Sequence, residues 1–134
     1  MTTIIDASAL VAYLLEEEGF EKVSEILSEG ADSVPLLIKE SCNAVLEARK
    51  QGRISRDDSE KVLQAILKLA ELNIKTVAQT DLIPAAFRIA EENDLTIYDA
   101  IYIALAKASG GSLASRDRRQ LETASKLGVR ITKV

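Results

Sequence analysis

A chain of 134 residues is long enough for one hydrophobic core. Its net charge of −4 argues against a protein that coats nucleic acid through bulk electrostatics, although it does not exclude an enzyme with a local basic patch. With one cysteine and no histidine, the chain cannot form an internal disulfide, a Ser-His-Asp triad or a His-ligated zinc site. No apolar run approaches membrane-spanning length and no basic-then-apolar leader opens the chain, which predicts a soluble, cytoplasmic protein.

Hydrophobic periodicity, with glycine and proline as punctuation, predicts strands alternating with helices. The opening "TTIID" has the β-branched residues of a strand, Gly19 and Gly30 interrupt helical patterns, and Ser55 with Asp58 resembles a capping box. In chain order we predict a strand at 2–6, helices at 8–17 and 20–29, a strand at 32–35, helices at 36–51 and 55–72, a strand at 74–77, helices at 81–93 and 97–109, a strand at 111–115, a helix at 117–127 and a strand at 129–134.

This alternation runs through the whole chain without repeats, low-complexity tracts or linkers. It predicts an α/β fold in which helices cover both faces of a mainly parallel central sheet. We therefore expect residues 1–134 to form one domain, a Rossmann-like three-layer α/β/α sandwich.

Four carboxylates fall where such a sheet forms ligand sites, outside the carboxyl ends of its strands. Asp6 ends the first strand, and Asp117 follows the strand at 111–115. Asp99 lies in the first turn of the helix that leads into that strand. Glu40 lies about one and a half turns into the helix after the second strand, and its side chain leans back toward the helix start. We therefore expect all four to meet on one rim.

Each aspartate also has a purely structural interpretation. Asp6 and Asp117 can cap the helices that follow them, and Asp99 can join Thr96 in a capping box. Glu40 is harder to explain in this way, because it lies close to the apolar face of its helix, where an unpaired charge is costly. Clustered carboxylates either take up protons, with raised pKa values, or require a cation. An all-oxygen site suits Mg²⁺ or Mn²⁺ and the hydrolysis of phosphodiesters.

Four segments, "IIDASALVAYL", "KESCNAVLEA", "LTIYDAIYIALAKASGGSLASRD" and "LGVRI", resemble the successive blocks of the PIN domain, and in particular the VapC-like ribonuclease toxins of toxin–antitoxin pairs. The resemblance covers essentially the whole chain, and "YDAIYIALA" followed by "LASRD" is its most specific part. It implies a PIN-like fold and an acidic quartet that holds Mg²⁺ or Mn²⁺ and carries the catalysis. The residues that match this quartet are Asp6, Glu40, Asp99 and Asp117.

The resemblance has further implications for partners and supporting residues. It implies an endoribonuclease acting on single-stranded RNA, a homodimer, and a small antitoxin whose tail blocks the acidic pocket, with no membrane association. Ser8, Asn43 and Ser115 match positions that support the site. The chain departs from the family pattern in Ser41-Cys42, where an aliphatic residue is more usual, and in the basic character of "SRDRR".

Two groups of residues outside the quartet have competing interpretations. The arginines of "SRDRR", which are Arg116, Arg118 and Arg119, are candidates for gripping RNA phosphates or simply solvated helix ends. Tyr98 and Tyr102 are four residues apart on one predicted helix, which favours packing in the core or a dimer interface over base stacking.

Three other functions are compatible with parts of the pattern. A phosphoacceptor receiver domain needs an acid pair after its first strand and a phosphorylated aspartate after its third, whereas Asp6 is single and Asp81 lies several residues past "IKTV". A haloacid-dehalogenase-like phosphatase needs an aspartate at the position of Ser8. A non-catalytic PIN-like module that acts by binding a partner remains the third alternative.

Overall fold

The computed structural model describes residues 2–134, and in them seven α-helices alternate with five β-strands in the predicted order. The elements are β1 (Thr3–Ile5), α1 (Ala7–Leu14), α2 (Phe20–Glu29), β2 (Ala31–Ser33), α3 (Leu36–Lys50), α4 (Arg56–Leu72), β3 (Ile74–Thr76), α5 (Ile83–Asn93), α6 (Ile97–Ser109), β4 (Ser112–Ser115), α7 (Arg118–Lys126) and β5 (Arg130–Lys133). In this part of the chain no helix has the length and apolar character needed to cross a membrane.

The predicted boundaries are wrong by two residues or more in three places, of which the first is the second strand: it was expected to reach residue 35, but β2 ends at Ser33. The first helix was expected to reach residue 17, but α1 ends at Leu14. Glu16 adopts a left-handed conformation with φ 51°, which a right-handed helix cannot contain. The fifth helix was expected from residue 81, where the chain instead forms a short 3₁₀ helix, Thr80–Leu82, before α5 begins.

The strands form one fully parallel sheet in the order β3-β2-β1-β4-β5. The chain leaves β1 toward β2 and β3, then returns to the other side of β1 to form β4 and β5. The order therefore reverses between β1 and β4, which is the point where open α/β sheets bind ligands. Receiver domains have the order 2-1-3-4-5, so this topology excludes the receiver alternative.

The core is aliphatic and is centred on the two strands beside this reversal. Ile4 and Ile5 of β1 and Leu113 and Ala114 of β4 are fully buried. Helix α6 packs on both strands, and its residues from Ala100 to Ala106 are all buried. The start of α6 is thereby held firmly at the carboxyl edge of the sheet.

Candidate active site

Asp6 lies directly after β1 and is almost completely buried, with 5 % of its surface exposed. It is the N-cap of α1: its Oδ1 accepts hydrogen bonds from the Ala9 amide at 2.9 Å and the Ser8 hydroxyl at 2.8 Å. Its Oδ2 accepts a hydrogen bond of 2.5 Å from the Ser115 hydroxyl. Capping therefore engages Oδ1 and leaves Oδ2 directed toward the neighbouring strand.

Asp117 follows β4 and caps α7, with its Oδ1 accepting from the Gln120 amide at 3.1 Å. Its own amide donates to the Ser115 hydroxyl at 2.9 Å. In the parallel register Ile5 pairs with Ala114, so Asp6 and Ser115 follow paired residues on adjacent strands. The register of the two central strands thus brings Asp6 and Asp117 to one place.

Asp99 and Glu40 reach the same edge from two helices. Asp99 is half-buried in the first turn of α6, and its amide donates to the hydroxyl of the N-cap, Thr96, at 3.2 Å. Glu40 is half-buried in α3, and its Oε1 accepts a hydrogen bond of 2.5 Å from the hydroxyl of Tyr102, a buried residue of α6. Helix α6 therefore carries one acid and orients another.

The four acids act on one another electrostatically. Burial raises the pKa of Asp6 to about 6; hydrogen bonds from Ser115, Ala9 and Ser8 oppose the rise, and the charge of Asp117 adds to it. Burial also raises the pKa of Asp99, and the charge of Asp117 raises it further. Burial raises the pKa of Glu40, and the charge of Asp99 adds to that effect. Charge repulsion thus links the four acids of the predicted quartet in successive pairs: Asp6 with Asp117, Asp117 with Asp99, and Asp99 with Glu40.

The same side chains can be tested for their fit to a divalent cation. Among residues 2–134, no three carboxylate or thiol groups stand close enough to form a ready ligand shell. The donors are nevertheless all carboxylate oxygens, partly removed from water and mutually repulsive, which is the chemistry that a hard cation neutralises. Because Mg²⁺ retains several water ligands, a few carboxylates around a hydrated ion are sufficient. The residues therefore fit Mg²⁺ or Mn²⁺.

The hydrogen bonds of Ser115 indicate whether Asp6 carries a proton when no cation is bound. Its hydroxyl lies 2.5 Å from Asp6 Oδ2 and 2.9 Å from Gln120 Oε1, two acceptors for one proton. The Gln120 amide cannot be reversed, because its Nε2 donates to the Asp99 carbonyl at 2.9 Å. If Asp6 is protonated, it donates to Ser115 and Ser115 donates to Gln120, so both of these contacts are satisfied. This agrees with the raised pKa of Asp6.

Of the three predicted supporting residues, two lie beside Asp6. The Ser8 hydroxyl donates to Asp6 Oδ1, accepts from the Arg116 amide at 2.9 Å, and lies 3.2 Å from the Ser115 hydroxyl. Asn43 is exposed on α3, and within the described residues its side chain makes no hydrogen bond to an acid. The structure does not bring Asn43 into this network.

The three arginines predicted to contact RNA are each engaged by an acid of this chain. The pairs are Arg116 with Glu17 at 3.3 Å, Arg118 with Glu122 at 3.1 Å, and Arg119 with both the carbonyl oxygen and Oδ2 of Asp94 at 2.6 and 3.0 Å. Ion pairs of this exposed kind contribute little to stability and exchange readily with other anions. The positive charge of Arg119 also lowers the pKa of Asp99.

Two residues of the network were not predicted. Tyr102 was assigned to packing, and its burial is confirmed, but its bond to Glu40 depends on the approach of a distant helix. For Gln120 the sequence does contain a local indication: it occupies the third position after the N-cap Asp117, where a glutamine of a capping box is expected.

Comparison with known proteins identifies a matching family and two similar proteins. The PIN domain sequence model matches residues 3–126. Ribonuclease VapC3 of Pyrobaculum aerophilum is 27 % identical over 124 residues, which are 91 % of this chain and 94 % of that protein. Exonuclease VapC9 of the same organism is 30 % identical over 118 residues, 88 % of this chain and 82 % of that protein.

Solved structures show the same fold. The crystal structure of PAE2754 from Pyrobaculum aerophilum superimposes with a TM-score of 0.74 at 26 % identity, covering 98 % of this chain and 89 % of that one. A toxin–antitoxin complex from Klebsiella pneumoniae contains a chain with a TM-score of 0.57 at 15 % identity, covering 87 % of each chain. At that identity the second likeness concerns the fold alone.

Proposed function

The chain belongs to the PIN domain family, and from this premise we propose that it is a metal-dependent endoribonuclease that cleaves single-stranded RNA. We further propose that residues 1–134 act as one PIN domain and as the toxin of a VapBC-type pair. Relatives of similar length that are named ribonuclease and exonuclease support nuclease activity.

One observation carries this proposal. Four carboxylates from distant parts of the sequence repel one another in successive pairs at the reversal of the strand order, and two of them follow the adjacent strands β1 and β4. Independent helix caps would not need to converge in this way. Convergence at a ligand-binding edge, with raised pKa values, is typical of a site that handles charge.

In this proposal Asp6, Glu40, Asp99 and Asp117 hold Mg²⁺ or Mn²⁺. When bound, the cation supplies Lewis acidity toward phosphate oxygens and lowers the pKa of water. The chain's own residues orient the donors: Ser8 and Ser115 hold the Asp6 carboxylate, and Tyr102 holds that of Glu40. Fixed donors of this kind lose little freedom when the charge of the transition state develops.

The proposal includes partners as well. Arg116, Arg118 and Arg119 flank Asp117 and would exchange their present acidic partners for RNA phosphates. The VapC names of two relatives and the fold shared with a toxin–antitoxin complex support a small antitoxin partner. We also propose a homodimer, on the family resemblance.

A non-catalytic binding module is the second candidate, and one observation favours it. No ready ligand shell is present among residues 2–134. A module that binds a partner through an acidic rim would have no need of such a shell, so cleavage must be measured directly.

The test uses linear and circular single-stranded RNA with Mg²⁺, with Mn²⁺ and with EDTA. An endonuclease opens the circle, whereas an exonuclease, as one relative is named, degrades only the linear RNA. Asp6→Asn should abolish cleavage while retaining the helix cap, since asparagine caps as well as aspartate. Asp57→Asn, at an exposed position in the first turn of α4, is the matched control. Full activity of the Asp6→Asn protein, or cleavage in EDTA, would contradict the proposal.

A further inference from the structure

Gln120 is a completely buried polar side chain of α7, with 0 % of its surface exposed. Its Oε1 lies 2.9 Å from the hydroxyl of Ser115, which in turn contacts Asp6 at 2.5 Å. Its Nε2 donates to the carbonyl oxygen of Asp99 at 2.9 Å, and its own amide donates to Asp117 Oδ1 at 3.1 Å. One residue therefore contacts the segments that carry Asp99 and Asp117, and its partner Ser115 contacts Asp6.

A glutamine in this place requires an explanation. Burial of an amide is costly unless both of its ends are hydrogen-bonded, and an apolar side chain at this position of α7, next to buried Leu121, would avoid the requirement. In a capping box the glutamine would bond the amide of the N-cap. Here the Asp117 amide is bonded by Ser115, so the Gln120 side chain is free to cross to α6.

The two ends of the side chain add hydrogen bonds between elements that otherwise meet through apolar packing. Oε1 meets the end of β4, and through Ser115 it reaches the carboxylate that follows β1. Nε2 meets the first turn of α6, which carries Asp99. One amide thus adds a polar link between the end of β4 and the helix turn that carries Asp99.

We propose that Gln120 is a positioning residue that fixes the end of β4 and the start of α7, which carry Ser115 and Asp117, relative to the first turn of α6, which carries Asp99. This inference rests on the proposed function, because it concerns the acids assigned there to the cation. A divalent cation requires its ligands within about 0.5 Å of the productive geometry, so a change in the separation of Asp117 and Asp99 would weaken its binding. Gln120 is fully buried and does not reach RNA, so its effect falls on cation affinity and turnover and leaves RNA affinity unchanged.

The test is direct Mn²⁺ binding to the whole chain, followed by electron paramagnetic resonance, with Gln120→Met as the variant. Methionine keeps the length of the side chain and fills the space, but it removes both hydrogen bonds. Loss of a residue that orients a ligand typically weakens metal binding by about 10- to 100-fold, and we expect a decrease in that range. Cleavage should show a lower kcat at saturating Mn²⁺, with an unchanged KM for RNA.

Two controls separate positioning from general effects. Gln64→Met makes the same change at an exposed position of α4, and Ile66→Val removes one buried methylene from the same helix. Both should bind Mn²⁺ as the wild type does. If Gln120→Met does not fold, Gln120→Asn replaces it, since the shorter amide cannot span both partners, and the same decrease is expected.

The outcomes distinguish this inference from the proposed function. A folded Gln120 variant that binds Mn²⁺ within twofold of the wild type overturns the positioning role alone. An equal loss of affinity in Ile66→Val also overturns it, because destabilisation would then account for the result. A wild-type protein that binds no Mn²⁺, or an Asp6→Asn protein that binds it undiminished, overturns the assignment of the cation site and this inference with it.

Discussion

Tyr102 donates a hydrogen bond of 2.5 Å from its hydroxyl to Oε1 of Glu40, 62 residues away in sequence. The tyrosine is 1 % exposed, and burial together with the negative charge of Glu40 raises its pKa, so it retains its proton and acts as the donor. The contact links α6, which carries Asp99, to α3. Two acids from different helices are therefore held through one element.

Tyr102→Phe removes this donor and leaves the ring in place. The hydrogen bond lowers the pKa of Glu40, so its loss should raise that pKa further and shift the acid limb of Mn²⁺ binding to higher pH. A net hydrogen bond contributes about 1 kcal/mol to stability, and we expect a decrease of that order in the free energy of unfolding. Mn²⁺ binding between pH 5 and 8 measures the first effect. Tyr98→Phe, on the same helix at a position 57 % exposed, is the control, and an identical pH dependence in both variants would contradict the role of Tyr102.

Cation binding should be visible in thermal unfolding without any RNA. A ligand that binds only the folded state at 100 times its Kd stabilises that state by about 2.7 kcal/mol. We therefore expect Mg²⁺ or Mn²⁺ to raise the Tm of the wild type and EDTA to reverse the increase. Asp6→Asn should lose the response, and Asp57→Asn should keep it. An increase of equal size in the Asp6→Asn protein would place the cation elsewhere.

The raised pKa of Asp6 predicts a pH-dependent stability in EDTA. The native state retains this proton up to about pH 6, whereas the unfolded chain releases it near 3.8. Unfolding therefore releases a proton in this window, and stability falls as the pH rises through it. Asp6→Asn is neutral at every pH and removes the effect. A shift of this size corresponds to about 3 kcal/mol.

Urea unfolding at pH 4, 5, 6 and 7 measures this prediction. The Asp6→Asn protein should gain stability relative to the wild type as the pH rises, with most of the gain between pH 4 and 6. Acids remote from Asp6 contribute equally to both curves and cancel in the difference, which therefore reports Asp6 together with its charge coupling to Asp117. A difference that is constant across the range would show that folding does not raise the pKa of Asp6.

Two fully buried serines offer a matched pair for stability. The Ser33 hydroxyl donates to the carbonyl of Ile5 at 2.7 Å, whereas the Ser41 hydroxyl has no hydrogen-bond partner among the described residues. Ser41→Ala should stabilise the protein by about 1 kcal/mol, because it removes an unsatisfied group and places alanine inside a helix. Ser33→Ala should destabilise it by a similar amount. Urea midpoints at an unchanged slope measure both, and a loss of stability in Ser41→Ala would reveal a partner for its hydroxyl.

Local pattern was sufficient to predict the elements and the edge on which the acids lie. Helical periodicity and the bounding glycines depend on neighbouring residues, and the carboxyl ends of parallel strands share one edge whatever their order. The order itself, with β1 beside β4, depends on pairing between segments over 100 residues apart in sequence. Local pattern contains no information about that pairing.

The two interpretations of the aspartates, as helix caps and as members of an acidic cluster, are not mutually exclusive. Asp6 and Asp117 do cap their helices, and they also act on one another, because a cap requires only one carboxylate oxygen. Tyr98 and Tyr102 were both expected to pack in the core or in a dimer interface; Tyr102 is buried in the core, whereas Tyr98 is largely exposed on this chain and so does not pack in its core. Which of two tyrosines on one helix faces the core depends on how α6 is rotated against the sheet, and their spacing of four residues does not specify that rotation.

Arg116 and Arg118 should differ in their contribution to RNA binding. Arg116 lies between Ser115 and Asp117, its side chain is 34 % exposed, and its amide bonds Ser8 at the acidic rim. Arg118 is 84 % exposed and pairs with Glu122 within its own helix. A phosphate at the acids would therefore meet the guanidinium of Arg116 first.

The measurement is RNA binding against salt concentration in the Asp6→Asn background, which prevents cleavage. Each phosphate contact contributes about one unit to the slope of log K against log salt. Arg116→Gln should lower the slope by about one, because its contact with Glu17 is weak enough to exchange for a phosphate. Arg118→Gln should leave the slope nearly unchanged. Equal slopes for the two variants would favour the interpretation of both arginines as solvated helix ends. The RNA would then have to be held by another basic surface, such as the stretch around Arg53 and Arg56.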